Sequence, residues 1–430
     1  MRAWTFGFTV TALLSAWPTA AAQSGTGRFV VVPYGWAWFL FLFTLSVLMV
    51  GLCGYLYGRA TKPMKAFRTA ITWSKHLFLW VAVLLTLYPV IYLVGVSFGR
   101  SNALASIPPR EGNLLVRAGV LPNPADFSLV QYRRVLADTH LYPYQWGLLA
   151  LFTAAALLFV LLSLARRSGK EGWVARLQRL SGWIMLAAVA LLVVTLSAEQ
   201  FYTLDASGQR RRASSGGMMV LYIRNTLLVS GMTGLFAVLI STTAGYAFAR
   251  MRFEGRYGTL LAFVFVQMFP SFMALVAIFY LMNYLGLLNT FTGLILAYSG
   301  GAIAFSSWIF KGYLESISPN LEEAAMVDGA TRWGAFWRII LPISVPMLLF
   351  IFLLQFIGTY SEFLLANVLL TSNDRWTVGL GLRALASNAL ATQWGTLAAS
   401  AVLGSLPILV IFYAFQNALS AQYIAGGVKG

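Results

Sequence analysis

The stretch "LEEAAMVDGATRWGAFWRIILP", residues 321–342, is short, charged and helix-forming, yet it lies between runs suited to lipid. Its entry, "SPNLEEAA", carries helix-start signals. Ser318 can cap, Pro319 suits the first helical position, and Glu322 and Glu323 sit near the positive end of the dipole. An Asn320 cap with Glu323 three residues later is the competing assignment. Gly329 ends this first helix, because glycine enters the left-handed region without steric penalty. Thr331 can cap a second helix whose Trp333, Phe336, Trp337 and Ile340 recur at one-face spacing. Pro342 is expected to stop or redirect that helix. The residues alone leave two readings open: an interfacial amphipathic anchor, or a docking element for a soluble partner.

The flanking composition fixes the fold class. Hydrophobic residues make up 59% of the chain and charged residues 10%, against about a quarter charged in soluble domains. Apolar segments at about 36–57, 77–97, 147–165, 181–197, 220–249, 257–285, 291–311, 344–366 and 398–420 are each long enough to cross a bilayer. The class is an all-α, polytopic helical membrane protein. The leader "MRAWTFGFTVTALLSAWPTAAAQS" reads as a signal peptide over 1–22 or as a first transmembrane helix. Alternating crossings put 58–76, 166–180, 250–256, 312–343 and the C-terminus on the side denser in Lys and Arg, which is cytoplasmic by the positive-inside rule. Arg210, Arg211 and Arg212 fall on the opposite side. The net charge of +17 therefore belongs to loops facing anionic lipid, not to nucleic acid, and no basic–aromatic module accompanies it.

Chemistry-bearing residues are few. One cysteine, Cys53, permits no disulfide within the chain, and two histidines, His76 and His140, both expected in loops, exclude a histidine-rich metal site. No G-x-x-x-x-G-K-[ST] phosphate loop occurs, so the chain is not an ATPase. "GLGLRA" (379–384) lacks the third glycine and the strand–helix context of a dinucleotide loop. No catalytic set is evident. Glu362 closes a span, and the expectation favours a hydrated place at the outer interface over a role at membrane depth. Gln267, Gln355, Tyr360 and Ser361 offer hydrogen bonds either to a hydroxyl-rich solute along a pathway or to neighbouring helices. Pro270 suggests a kink within 257–285. An ion-coupled transporter would need buried carboxylates, and Glu362 is the only carboxylate in the later spans; a membrane-embedded hydrolase would need an acid–base set.

"EAAMVDG" (323–329), followed by nine residues and then "IILP" (339–342), resembles the EAA signature of binding-protein-dependent ABC importer permeases. "YAFARMRFEGR" (246–256), "FVQMFPSFMALVAIFY" (265–280), "AYSGGAIAFSSWIFKGYLESI" (297–317) and "AGGVKG" (425–430) are similar to the MalG-type subunits of maltose/maltodextrin importers. The likeness covers about 77–97, a patch at 126–136, and nearly all of 220–430. It implies a six-helix core with about three additional transmembrane helices. The organisation is then an added N-terminal helix and basic loop (36–76), the first core helix and external loop (77–139), an inserted helix pair (140–219), the core (220–420) with its coupling loop (318–343), and a tail (421–430).

The resemblance also implies roles. Glu322, Glu323, Ala324, Ala325, Asp328, Gly329, Ile339, Leu341 and Pro342 would form the element seated in an ATPase cleft, with Glu323 meeting a basic residue there. Gly426, Gly427, Val428, Lys429 and Gly430 would insert between ATPase subunits. Asn373, Asp374 and Arg375 would mark the turn of an external loop, 367–397, that reaches the binding protein. The implied partners are a MalF-like second permease subunit, a MalK-like ATPase homodimer that binds ATP and Mg, and an extracytoplasmic maltodextrin-binding protein. No cofactor is expected in this chain.

Overall fold

The computed structural model describes residues 35–61, 63–100, 126–137, 139–166, 172–204, 210–212, 217–268, 270–387 and 392–426; the leader and Gly427 to Gly430 lie outside them. In chain order the helices are α1 (Gly35–Thr61), α2 (Ala66–Ser97), α3 (Val130–Leu136), α4 (Pro143–Arg166) and α5 (Gly172–Thr195). A small antiparallel pair follows, β1 (Tyr202–Leu204) and β2 (Arg210–Arg212). Then come α6 (Met219–Arg250), α7 (Arg256–Met268), α8 (Ser271–Tyr284), α9 (Phe291–Ser316), α10 (Asn320–Val327), α11 (Arg332–Ala335), α12 (Leu341–Ser361), α13 (Leu364–Leu369), α14 (Val378–Ala386) and α15 (Trp394–Gly426). Among the described residues eight helices are long and apolar enough to cross a membrane, or nine where one bent pair is counted as a single span. They fall on the nine expected segments in order.

The chain divides into two compact units, up to Ile91 and from Tyr92 onward. In the first, α1 and the start of α2 pack closely because glycines face the contact. A Cβ at Gly51 would lie 2.7 Å from Ser74 Oγ, and one at Gly58 would lie 2.8 Å from Ala66 Cα. Small residues are what let membrane helices approach, since lipid supplies no hydrophobic drive between them. His76 sits inside α2, with Nδ1 2.6 Å from the Thr72 carbonyl, rather than in a loop.

In the second unit α6 is the central rod, packed against α9 and α12. Its buried face carries Ser230, Thr233, Gly234, Ala237, Ser241 and Gly245, while Leu235, Phe236, Leu239 and Ile240 point outward. That inside-out pattern suits a lipid solvent. Most of the buried hydroxyls bond to their own helix: Thr226 donates to the Tyr222 carbonyl at 2.7 Å and Ser230 to the Thr226 carbonyl at 2.6 Å, whereas Thr233 Oγ1 has no partner among the described residues. Three buried clusters follow α6 along its length: one around Met218, Tyr222 and Phe356, one around Val229, Leu294 and Leu369, and one around Tyr246, Phe310 and Phe336.

One backbone approach is close enough to predict from. A Cβ on Gly293, in the first turn of α9, would stand 2.3 Å from the Leu287 carbonyl oxygen, which is backbone and cannot swing away. Gly293→Ala is expected to destabilise the fold by about 2 kcal/mol, visible as a lower melting temperature of detergent-purified protein. Gly300→Ala, with nothing within 4 Å, is the control and should leave it unchanged.

The segment expected as one span, 257–285, is instead two helices, α7 and α8, meeting at 106°. Pro270 donates no backbone hydrogen bond and disfavours helix in the residue before it. Neither 13-residue α7 nor 14-residue α8 is long enough to cross alone. The region expected as a loop, 367–397, contains the second half of α13 and the whole of α14, whose Val378 and Leu380 are buried.

The inserted pair, α4 and α5, packs as a hairpin whose outer end is closed by two buried amides. Gln200 donates to Gln145 Oε1 at 2.7 Å and Gln145 returns the bond to Gln200 Oε1 at 3.3 Å. It also grips the core. Arg224 Nε on α6 donates to the Val193 carbonyl at 2.8 Å, and the Tyr202 hydroxyl donates to the Asp374 carboxylate at 3.1 and 3.2 Å.

Candidate functional site

The bent segment is built as its local sequence dictates up to Thr331. Ser318 Oγ accepts from Asn320 N–H at 3.4 Å, and Pro319 stands at the entry of α10, so Asn320 is not the cap. Gly329 adopts φ +88° and reverses the chain. Thr331 Oγ1 accepts from Gly334 N–H at 3.0 Å and starts α11.

Beyond that point the expectation of a second short helix fails. Helix runs without a stop from Arg332 to Ser361, thirty residues, through a π turn at Phe336–Ile340. Pro342 has no N–H to give to Arg338, and the wider turn just before it, with Leu341 N–H bonded to the Phe336 carbonyl, absorbs the lost rung. Pro342 thus lies within the first turn of the span and does not redirect it. The elbow is one short helix hinged at Gly329 to the end of a long rod.

The aromatic face is also divided. Phe336 and Ile340 are buried among Tyr246, Phe310, Leu314 and Ile351, whereas Trp333 and Trp337 are exposed. On α10, Glu322 and Ala325 face inward and Glu323, Ala324 and Val327 outward. Asp328 and Gly329 are exposed, as is Pro342, with Ile339 and Leu341 half-buried. The outer surface therefore joins Glu323 to Ala324, Val327, Trp333 and Trp337. Exposed tryptophans beside a charge suit both readings of the sequence, an anchor in the lipid interface and a docking surface for a soluble partner.

Glu322 does not belong to that surface. Its Oε1 lies 2.6 Å from Arg250 Nε at the end of α6, and its Oε2 accepts from the Tyr246 hydroxyl at 2.9 Å. Arg250 also donates to the Ile317 carbonyl at 2.8 Å. Both side chains are nearly buried, at 12% and 9% exposure, so this ion pair fastens the elbow to the central rod. The adjacent glutamates hid this division of labour. The signal was an arginine at the end of an otherwise apolar span.

A second site lies at the α7–α8 break. A cavity of about 750 Å³ is lined there by Gln267, Pro270, Phe272, Tyr298 and Glu362, among others. Glu362 is not simply hydrated. Its carboxylate accepts from the Tyr298 hydroxyl and from the N–H groups of Leu365 at 3.0 Å and Ala366 at 3.4 Å. Gln267 donates to the Gly301 carbonyl at 2.8 Å. The other expected pathway residues serve helix contacts or lie apart from the cavity. Tyr360 is buried and donates to the Gly404 carbonyl at 2.6 Å, Gln355 donates to Ser306 Oγ at 3.0 Å, and Ser361 is exposed and lines no part of the cavity. Asn373–Arg375 form a tight turn; Asp374 faces Tyr202, and Arg375 bonds the Asn289 carbonyl. Gly426 ends α15, and Gly427, Val428, Lys429 and Gly430 lie outside the described residues.

Residues 233–424 match the model of the "Binding-protein-dependent transport system inner membrane component" family. The chain is 44% identical over 220 residues to the maltose/maltodextrin transport system permease protein MalG of Vibrio vulnificus, covering 49% of this chain and 73% of that protein. It is 42% identical over 218 residues to the protein of the same name from Escherichia coli K12, with the same coverage. Its fold resembles a crystal structure of a bacterial ABC transporter that imports the acidic polysaccharide alginate, with TM-score 0.51 and 18% identity over 80% of this chain and 94% of that one. An exposed elbow on a continuous rod, latched to a central helix within a bundle of apolar spans, is thus seen in a multi-pass inner-membrane transport subunit: the chain belongs to the binding-protein-dependent transport system inner membrane component family.

Proposed function

We propose that this chain is one of two permease subunits of an ATP-driven maltodextrin importer. Membership of the family carries with it a partner permease, an ATPase and a binding protein. The finer assignment, to a MalF-like partner, a MalK-like ATPase homodimer holding ATP and Mg, and a maltodextrin-binding protein, rests on the identity to relatives bearing the MalG name. The observation that carries the mechanism is the unbroken helix from the elbow to Ser361. A soluble motor that seats this elbow's outer surface would move α12 directly through Trp333 and Trp337, which lie on the continuous helix, while Glu323, Ala324 and Val327 act through the bend at Gly329. For ATP to drive alternation it must favour one arrangement of the helices over the other, and a rigid lever fixed at both ends converts closure of the motor into that bias.

The test is reconstitution of this chain with its three kinds of partner in proteoliposomes. Uptake of maltotriose is expected to require ATP and the binding protein and to ignore an imposed proton or sodium gradient. Gradient-driven uptake without ATP would overturn the reading in favour of an ion-coupled transporter. The C-terminal glycines are proposed, on the resemblance alone, to reach the ATPase.

A further inference from the structure

No aspartate or glutamate occurs before Glu111, so the basic residues of the first unit have no acid of their own to pair with. Four of them surround the turn between α1 and α2. Arg59 stands in the last turn of α1, Lys65 closes the 3₁₀ turn Pro63–Lys65, and Arg68 and Lys75 belong to α2. All four are exposed, and none makes an ion pair among the described residues. Along α2 they are not scattered. Lys65, Arg68, Thr72 and Lys75 follow one another at three- and four-residue steps, the spacing of one helix face, and their stripe is about 15 Å long. The opposite face, with Ala66, Ala70 and Ser74, is the one packed on α1.

The depth of the stripe decides what covers it. Ser74 Oγ donates to the Val47 carbonyl at 3.3 Å, which sets Lys75 level with the apolar run of α1, where Leu48, Leu52 and Leu56 are exposed. A soluble acidic protein stops at the membrane surface and cannot follow the stripe to that level. A phospholipid can. Its acyl chains cover the leucines, and its phosphate meets the ammonium and guanidinium groups, which reach back toward the surface on apolar stems. Trp73, beside the lower end of the stripe, stacks on Tyr57 with ring centroids 5.5 Å apart, an amphipathic aromatic pair of the kind that marks the headgroup level. We infer that the outer face of α2 over residues 65–75 binds the headgroup of an anionic glycerophospholipid. The inference is independent of what the chain transports.

The test uses the full chain in phosphatidylcholine nanodiscs that hold a trace of photoactivatable phosphatidylglycerol or, separately, photoactivatable phosphatidylcholine, with cross-linked peptides mapped by mass spectrometry. Over residues 47–78 the phosphatidylglycerol probe is expected to exceed the phosphatidylcholine probe by about fivefold or more, the preference that even one basic group beside an anionic headgroup supplies. Lys65→Gln, Arg68→Gln and Lys75→Gln combined should bring the two probes level. All three side chains are exposed, so the triple variant keeps its fold, and unchanged labelling by the phosphatidylcholine probe verifies that the hairpin still meets lipid. Arg59→Gln, off the stripe, should leave the preference in place. Equal labelling by both probes in the unaltered chain overturns the site, as does a preference that survives the triple variant. An equal loss in Arg59→Gln and Arg68→Gln shows diffuse charge instead of a site. Inorganic phosphate should not compete; if it displaces the probe, the stripe holds a free anion and not a lipid. If adding the ATPase removes the preference, the stripe seats a soluble partner and the lipid assignment fails.

Discussion

Arg250→Ala is expected to cut ATP-driven uptake by tenfold or more while the chain still reaches the membrane. The substitution leaves the Glu322 carboxylate nearly buried with only the Tyr246 hydroxyl to answer it. Removing one partner of a buried ion pair costs about 3 kcal/mol or more, chiefly as the penalty of the charge left behind. The cheapest relief is for α10 to swing out and hydrate Glu322, which detaches the elbow from α6. Limited proteolysis should then cut within 318–331 faster than in the unaltered chain, where Glu322 and Ala325 hold the segment down. Tyr246→Phe removes one hydrogen bond to a charged group and should cost less, about 1.5 kcal/mol. The reciprocal change, R250E with E322R, restores opposite charge at the contact and should recover part of the uptake. Unaltered uptake and unaltered proteolysis in Arg250→Ala would show that the latch carries no load.

Glu323→Lys, one residue along, should fail for a different reason. Glu323 is exposed and makes no ion pair among the described residues, so its reversal leaves the fold intact and membrane levels normal. At the interface proposed with the ATPase it would put lysine against the basic residue that the resemblance implies, and like charges juxtaposed in a contact cost several kcal/mol. Uptake should fall by more than about tenfold, with ATP hydrolysis by the ATPase continuing but no longer answering to the binding protein. Normal uptake would remove the charge from the coupling role. The two variants also differ in protease pattern: the first detaches the elbow from α6 and speeds its cleavage, the second does not.

These contrasts show what local sequence does and does not encode. Eight of the nine expected spans were legible as single helices because lipid demands long apolar runs. The hinge at Gly329 and the Thr331 cap were legible because each is set by its own residue's stereochemistry. Pro342 was misjudged, since a proline's missing hydrogen bond can be absorbed by a π turn as well as by a break, and only the packing of Phe336 and Ile340 decides which. Pro270 did the reverse, breaking a segment that had read as one kinked span. The inward turn of Glu322 depends on a partner 72 residues away, and the hold on Glu362 on one 64 residues away. No periodicity reports such pairings. Ala324, Asp328 and the terminal glycines carry no local chemistry that singles them out, and only resemblance draws attention to them.

The hairpin of α4 and α5 has a consequence for anyone wishing to trim this chain to its shortest working form. Because Tyr202 braces Asp374 and Val193 anchors Arg224, excising the hairpin is not the removal of an independent cassette. A deletion would uncover an arginine on the central rod and strip the Asp374 carboxylate of one partner, although Asn225 and Asn289 still hold the turn. A minimal version must therefore replace both lost contacts before its behaviour says anything about what the extra helices are for.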